Sequence, residues 1–157
     1  MVRVLFHLVD VDETDVGLFP IATHIPLIVM LWDDLLQNFA VAELLIVDQT
    51  SEKVGASVAA EHPQWRIFER LSQAEAAFPA ATWVYFEHGG QPLDGFDHPG
   101  GDVVYAFGPD STGFELMPGK TYVEIPTARP YGFFSPLAAA IALYDRRMRA
   151  GARDIRS

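Results

Sequence analysis

The stretch that decides the fold runs from Val103 to Met148: VVYAFGPDSTGFELMPGKTYVEIPTARPYGFFSPLAAAIALYDRRM. It holds two apolar strand-like runs, DVVYAFG and KTYVEIP, each passing into a loop marked by Gly or Pro, and then a helical segment. Ser135 reads as the N-cap of that helix and Pro136 as its first helical residue. Leu137, Ile141, Tyr144 and Met148 recur at helical spacing and are expected to form its buried face. Gly151 is expected to stop it. The loops FGPDSTGF and IPTARPYGFF pose the functional question. Gly108 and Gly113 permit close backbone approach and positive φ, so both loops could wrap a small cofactor. Taken by themselves they read more readily as the ordinary turns that end strands in any α/β protein.

Working outward, the same alternation fills the chain. VRVLFHLVD, AELLIVDQ, WRIFER and TWVYFEH read as further strands. PLIVMLWDDLLQNF reads as a helix opening at Pro26, and SEKVGASVAAEHP as a short one ended by Pro63. SQAEAAF reads as another, with Ser72 as N-cap and Glu75 completing a capping box. Strands that are near-continuous apolar runs, alternating with helices, predict an α/β fold: a mostly parallel sheet with helices on both faces. Ligands in such sheets bind beyond the carboxyl ends of the strands, which here are FEHGG, FGPDSTG and IPTARPYG. With 157 residues and no linker or repeat, a single domain over 1–157 is expected.

Composition narrows the class. Half of the residues are apolar, enough for a sizeable core. No run reads as a membrane span, because IPLIVMLW is short and closed by Asp33 and Asp34. The start MVRVLFHLVDVDE lacks the marks of a signal peptide. The absence of cysteine excludes disulfides, thiol nucleophiles and zinc-thiolate sites. A cytoplasmic protein with no membrane partner is the expectation. The net charge of −10 argues against broad electrostatic binding to nucleic acid, and no DNA partner is expected. Five of the eleven basic residues, Arg146, Arg147, Arg149, Arg153 and Arg156, cluster near the C-terminus. They could meet phosphate locally, or simply complement the dipole of a last helical turn.

Other chemistry finds little support. There is no G-x-x-x-x-G-K-[ST], no G-x-G-x-x-G after the first strand and no G-x-S-x-G elbow. His88, Asp94, Asp97 and His98 are suitable metal ligands by type, but their spacing matches no metal motif, and no metal is expected.

The residues resemble a known family. VVYAFGPDSTGF, then YVEIPT, then a small-residue helix ending AAAIALYD is similar to the C-terminal half of the SPOUT-superfamily RNA methyltransferases. The nearest likeness is to the TrmH/SpoU type and its small single-domain, TrmL-like members. Their strand ending F-G-x-E-x-x-G corresponds to Phe107–Gly113, their I-P to Ile125 and Pro126, and their L-Y-E to Leu143, Tyr144 and Asp145. FAVAELLIVD resembles their F-G-V-x-x-L-x-L-V-D.

The resemblance implies a C-terminal deep trefoil knot, a homodimer, and an enzyme that uses S-adenosylmethionine to methylate a ribose 2′-hydroxyl of tRNA or rRNA. It implies cofactor contacts from Phe86, Glu87, His88, Gly108, Pro109, Gly113, Ile125, Thr127, Gly132 and Phe133. RNA would be met through the C-terminal arginines. The likeness weakens at the catalytic positions. Asp34 falls where the family has an arginine, with Ile28 and Met30 at its Asn and Gly. Gly132, Phe133 and Phe134 fall at its S-L-N, and Asp110 replaces its Glu. Asp110, Arg129 and Ser135 are therefore the candidates for catalysis. The alternative is a catalytically degenerate SPOUT-fold dimer that binds a cofactor or partner without turnover.

Overall fold

The computed structural model describes residues 1–10, 21–109, 112–128 and 134–154, with the backbone alone for 21–25 and 151–154. In chain order the elements are β1 (Val2–Leu8), α1 (Ile21–Phe39), β2 (Glu43–Asp48), α2 (Gly55–Ala59), β3 (Trp65–Phe68), α3 (Leu71–Ala77), β4 (Thr82–Pro92), β5 (Val103–Phe107), β6 (Thr121–Glu124) and α4 (Ser135–Asp154). The described strands form one sheet in the order β3-β2-β1-β5-β4-β6. Every pairing is parallel, as the apolar runs predict.

Alternation along each strand divides the core into two layers. Val4, Phe6 and Leu8 of β1 face α1 and α4, where Trp32 stacks on Phe6 at 4.7 Å and leans on Phe107. Trp32 is almost wholly buried, so truncating it would cost about 3–5 kcal/mol. Leu5 of β1 faces the other way, with Val47, Tyr85 and Val104, under Ala74 of α3 and Phe114. At the amino end of the sheet, buried Arg3 bridges Glu43 and Asp102 and lies over the Phe78 ring at 4.4 Å.

Several expectations from the sequence are corrected. Helix α4 does not bury Leu137, Ile141, Tyr144 and Met148; they are 53%, 37%, 57% and 54% exposed. Its buried face is Ala138, Ala139, Ala142 and Leu143, because three alanines let the helix lie close against the sheet and α1. Gly151 does not end α4, which continues to Asp154; a mid-helix Gly weakens a helix by about 1 kcal/mol without terminating it. Ser135 is the first helical residue rather than the cap. The Phe134 carbonyl accepts from Leu137 and Ala138 N–H.

Helix α1 begins at Ile21, so Pro26 lies inside it, forgoing one backbone bond, rather than opening it. Ser72 is likewise inside α3. The residue that closes the start of that helix is Gln73, whose Oε1 accepts from the Glu69 and Arg70 N–H groups at 3.0 and 3.1 Å.

Candidate functional site

The carboxyl ends of β4 and β5 meet beside the end of β6. Strand β4 does not stop at His88. It pairs with Val123 through Phe86, arches out over Glu87–Gly90, and returns to pair with Val123 again through Gln91. The arch needs its glycines. Gly89 has φ +83°, and a Cβ on Gly90 would lie 2.7 Å from the Val123 nitrogen. Glu124 pins the arch from β6: its Oε2 accepts from the Gly89 N–H at 2.5 Å and sits 3.2 Å from His88 Nδ1.

The loop after β5 is folded back on itself. The Gly113 and Thr112 N–H groups both bond the Pro109 carbonyl, at 2.8 and 3.2 Å. Gly108 and Gly113 touch so closely that a Cβ on Gly108 would lie 2.8 Å from the Gly113 carbonyl carbon. Gly113 has φ +64°, and a Cβ there would lie 2.8 Å from Glu87 Cδ. Glu87 joins the two loops, with Oε1 accepting from the His88 N–H at 2.8 Å and Oε2 accepting from the Phe114 N–H. The result is a backbone-walled rim bearing two carboxylates, Glu87 and Glu124. Such a rim favours a ligand with a cationic group over a phosphate.

Glu87, His88, Gly108, Pro109 and Gly113, singled out from the sequence, are thus brought together. Phe86 contributes backbone only, since its ring is buried against Phe107 at 4.8 Å. Ile125 packs on the core and Thr127 is exposed. Ser135 is buried at the start of α4, in a cleft with Phe6, Leu8, Ile28, Trp32 and Pro136. Asp110, Arg129, Gly132 and Phe133 lie outside the described residues. Asp34 is exposed on α1, its Oδ1 accepting from Asn38 Nδ2 at 3.0 Å.

The C-terminal arginines are partly turned inward. Arg146 Nη1 donates to the Pro99 carbonyl at 2.7 Å and to Tyr105 Oη at 2.9 Å. Arg149 Nε donates to Asp145 at 2.7 Å, while Arg147 is exposed. The same cluster uses both nitrogens of buried His98. Its Nε2 is 2.9 Å from Asp145 and its Nδ1 2.6 Å from Tyr105 Oη. Burial holds the His98 pKa below its ordinary value, against the opposing pull of Asp145. Among the described residues no three His, Asp or Glu converge as a metal set.

Reading the sequence missed His7, Gln49 and Glu124. The signal for His7 was present: a polar residue interrupting the apolar run of β1 beside its carboxyl end.

No protein-family model matches the chain, and no curated protein matches it in sequence. Solved structures do. A candidate RNA methyltransferase from Bacillus anthracis superposes with a TM-score of 0.68 at 12% identity, over 92% of this chain and 91% of that one. A structure described by the 2-OH methylation of C/U34 on tRNA gives 0.63 at 16% identity, over 96% and 97%. The SpoU methyltransferase AviRb from Streptomyces viridochromogenes, in complex with AdoMet, gives 0.61 at 16% identity, over 94% of this chain and 57% of that one. The fold is that of the SpoU-type RNA methyltransferases. The chain spans nearly all of the first two structures and little more than half of the third. In the SpoU-type fold described here, the arch after β4 and the folded-back loop after β5 form one contiguous rim.

Proposed function

We propose that this chain is an S-adenosylmethionine-dependent methyltransferase that methylates a ribose 2′-hydroxyl of tRNA or rRNA. In this reading it is a cytoplasmic homodimer with its C-terminal segment tied in the family's trefoil knot. The observation that carries the proposal is the rim joined by Glu87. Gly108, Gly113 and Gly90 each sit where a Cβ would strike neighbouring atoms, so the backbone itself forms the wall. Carboxylates at Glu87 and Glu124 suit a cofactor that carries positive charge.

S-adenosylmethionine, when bound, supplies an electrophilic methyl group on a sulfonium. The protein's task is then to align, to exclude water and to manage one proton. Glu87 fixes the two loops relative to each other. Ser135 stands at the entry of α4, near the segment expected to complete the pocket. The exposed stripe Leu137, Ile141, Tyr144 and Met148, with Met30 on the neighbouring helix α1, supplies an apolar face for a second copy of the chain.

Titration calorimetry with S-adenosylmethionine and S-adenosylhomocysteine, followed by transfer of a labelled methyl group to total tRNA and rRNA, tests the reading. Micromolar binding and label in RNA are expected. No heat with either ligand refutes it.

Two positions favour the alternative of a degenerate, cofactor-binding dimer. Asp34 is hydrogen-bonded within its own helix, and Phe134 is packed against the core. That alternative gives binding without label in any RNA.

A further inference from the structure

Three buried side-chain nitrogens lack a hydrogen-bond partner among the described residues: His7 Nε2, Trp32 Nε1 and Trp65 Nε1. The two indoles can only donate. His7 is different. It lies next to the end of the central strand β1, where the sheet order reverses between β1 and β5, which is where ligands of open α/β sheets bind. Carrying the β1–β5 register on from Leu5↔Ala106 brings Gly108 beside it. Its ring meets the Phe114 ring edge-on at 5.6 Å, so it adjoins the loop that Glu87 closes.

His7 Nδ1 is 3.1 Å from Gln49 Oε1. An amide oxygen can only accept, so Nδ1 carries the hydrogen and Nε2 keeps a bare lone pair. Gln49 is held for this role by its own N–H, which bonds the Leu8 carbonyl at 2.8 Å. Leaving such a group 8% exposed and unpaired costs stability, about 1–3 kcal/mol, and unlike the two indoles this nitrogen can accept a proton.

Resting on the methyltransferase reading, the geometry points to His7 as the catalytic proton acceptor of this site, with Gln49 as the positioning residue that fixes its tautomer. The acceptor hydroxyl oxygen bonds to the methyl carbon and its proton passes to His7 Nε2. The carbon–sulfur bond breaks with its electron pair left on sulfur, which turns from a sulfonium into a neutral thioether. The imidazolium then gives its proton to water. His7 supplies the proton acceptor that Asp34 and Phe134, at the family's polar positions, do not.

Burial holds the His7 pKa below its ordinary value, with the Gln49 bond opposing, so the ring is neutral and ready at pH 7. The carboxylates of the adjoining elements are committed elsewhere. Asp48 bonds Thr50 and Gly55, and Glu87 bonds His88 and Phe114.

The test uses the full chain and its H7Q and H7F variants. Long-range proton–nitrogen NMR of the wild type should show Nδ1–H and an unprotonated Nε2 at pH 7. H7F should melt no lower than wild type, because it removes an unpaired buried group, and both variants should bind S-adenosylhomocysteine within about threefold. Methyl transfer to RNA should fall by about 10²–10⁴-fold in both variants. The wild-type rate should lose its acid limb below pH 6.5 on substitution. A protonated Nε2, or H7F transferring at the wild-type rate, overturns the assignment while leaving the cofactor reading intact. Wild-type protein that binds neither ligand overturns both.

Discussion

Gly113→Ala tests the rim directly. The substitution acts in two ways. Alanine must adopt φ +64°, the left-handed region, at about 1–2 kcal/mol. Its Cβ also lands on the Glu87 carboxyl group, 2.8 Å from Cδ, so the carboxylate must leave. Leaving breaks the bond from the Phe114 N–H to Oε2, and a bond to a charged group is worth about 1.5–3 kcal/mol. The sum is about 2.5–5 kcal/mol, which for a chain of this size lowers Tm by roughly 5–20 °C. Urea unfolding at pH 7 measures it.

The two contributions separate in a double-mutant cycle. In a Glu87→Ala background there is no carboxylate to displace. The cost of Gly113→Ala should then fall to the backbone part alone, leaving a coupling of about 1.5–3 kcal/mol. A Gly113→Ala protein within about 0.5 kcal/mol of wild type, or additive single and double variants, would refute the latch between Glu87 and the β5 loop.

Acid should destabilise the fold earlier than carboxylate titration alone would. His7 and His98 are both held below their ordinary pKa, first by burial, so the unfolded chain takes their protons first. Their contribution is complete above about pH 6.5 and is lost as pH falls through the lowered native values, at up to about 1.4 kcal/mol per pH unit for each. Denaturant melts from pH 7.5 to 5 check this, and a flat profile contradicts it. Leu137→Glu with Tyr144→Glu should convert a dimer to monomer in sedimentation velocity, with Tm of the monomer little changed because both residues are exposed. Arg3→Met should cost about 1.5–3 kcal/mol in urea melts, since Glu43 and Asp102 lose a charged partner while the packing on Phe78 is kept. A loss under 0.5 kcal/mol would place that bridge among the solvated pairs.

The layered sheet was legible because its cause is local. Strands such as Leu44–Val47 and Val103–Phe107 are apolar on both faces, and only a sheet covered on both sides hides them. The face of α4 was not legible. Periodicity weighs hydrophobicity, so it selects Leu137, Ile141, Tyr144 and Met148. Packing against a sheet weighs size as well, and it selects Ala138, Ala139 and Ala142. The large apolar residues left outside by that small-residue face are the ones the proposed dimer would cover. The arch Glu87–Gly90 was hidden for another reason. A strand that leaves its register and returns to the same partner, Val123, has no signature beyond two glycines.

Charge placement bears on how such a site could select its ligands. The rim at the carboxyl ends carries Glu87 and Glu124, and the nearby His88 is spent on Glu124. Arg146 and Arg149, both half-buried, donate to carbonyls of the β4–β5 connection. A cationic ligand is therefore favoured where a polyphosphate is repelled. On the proposed function, RNA contact would begin away from the rim, at outward groups such as Arg147, and only the reacting sugar would approach the carboxylates. On that division of labour the pocket itself needs no positive charge. For the proposed transfer it would need a neutral base, and among the described residues His7 is the buried imidazole whose second nitrogen is not already used.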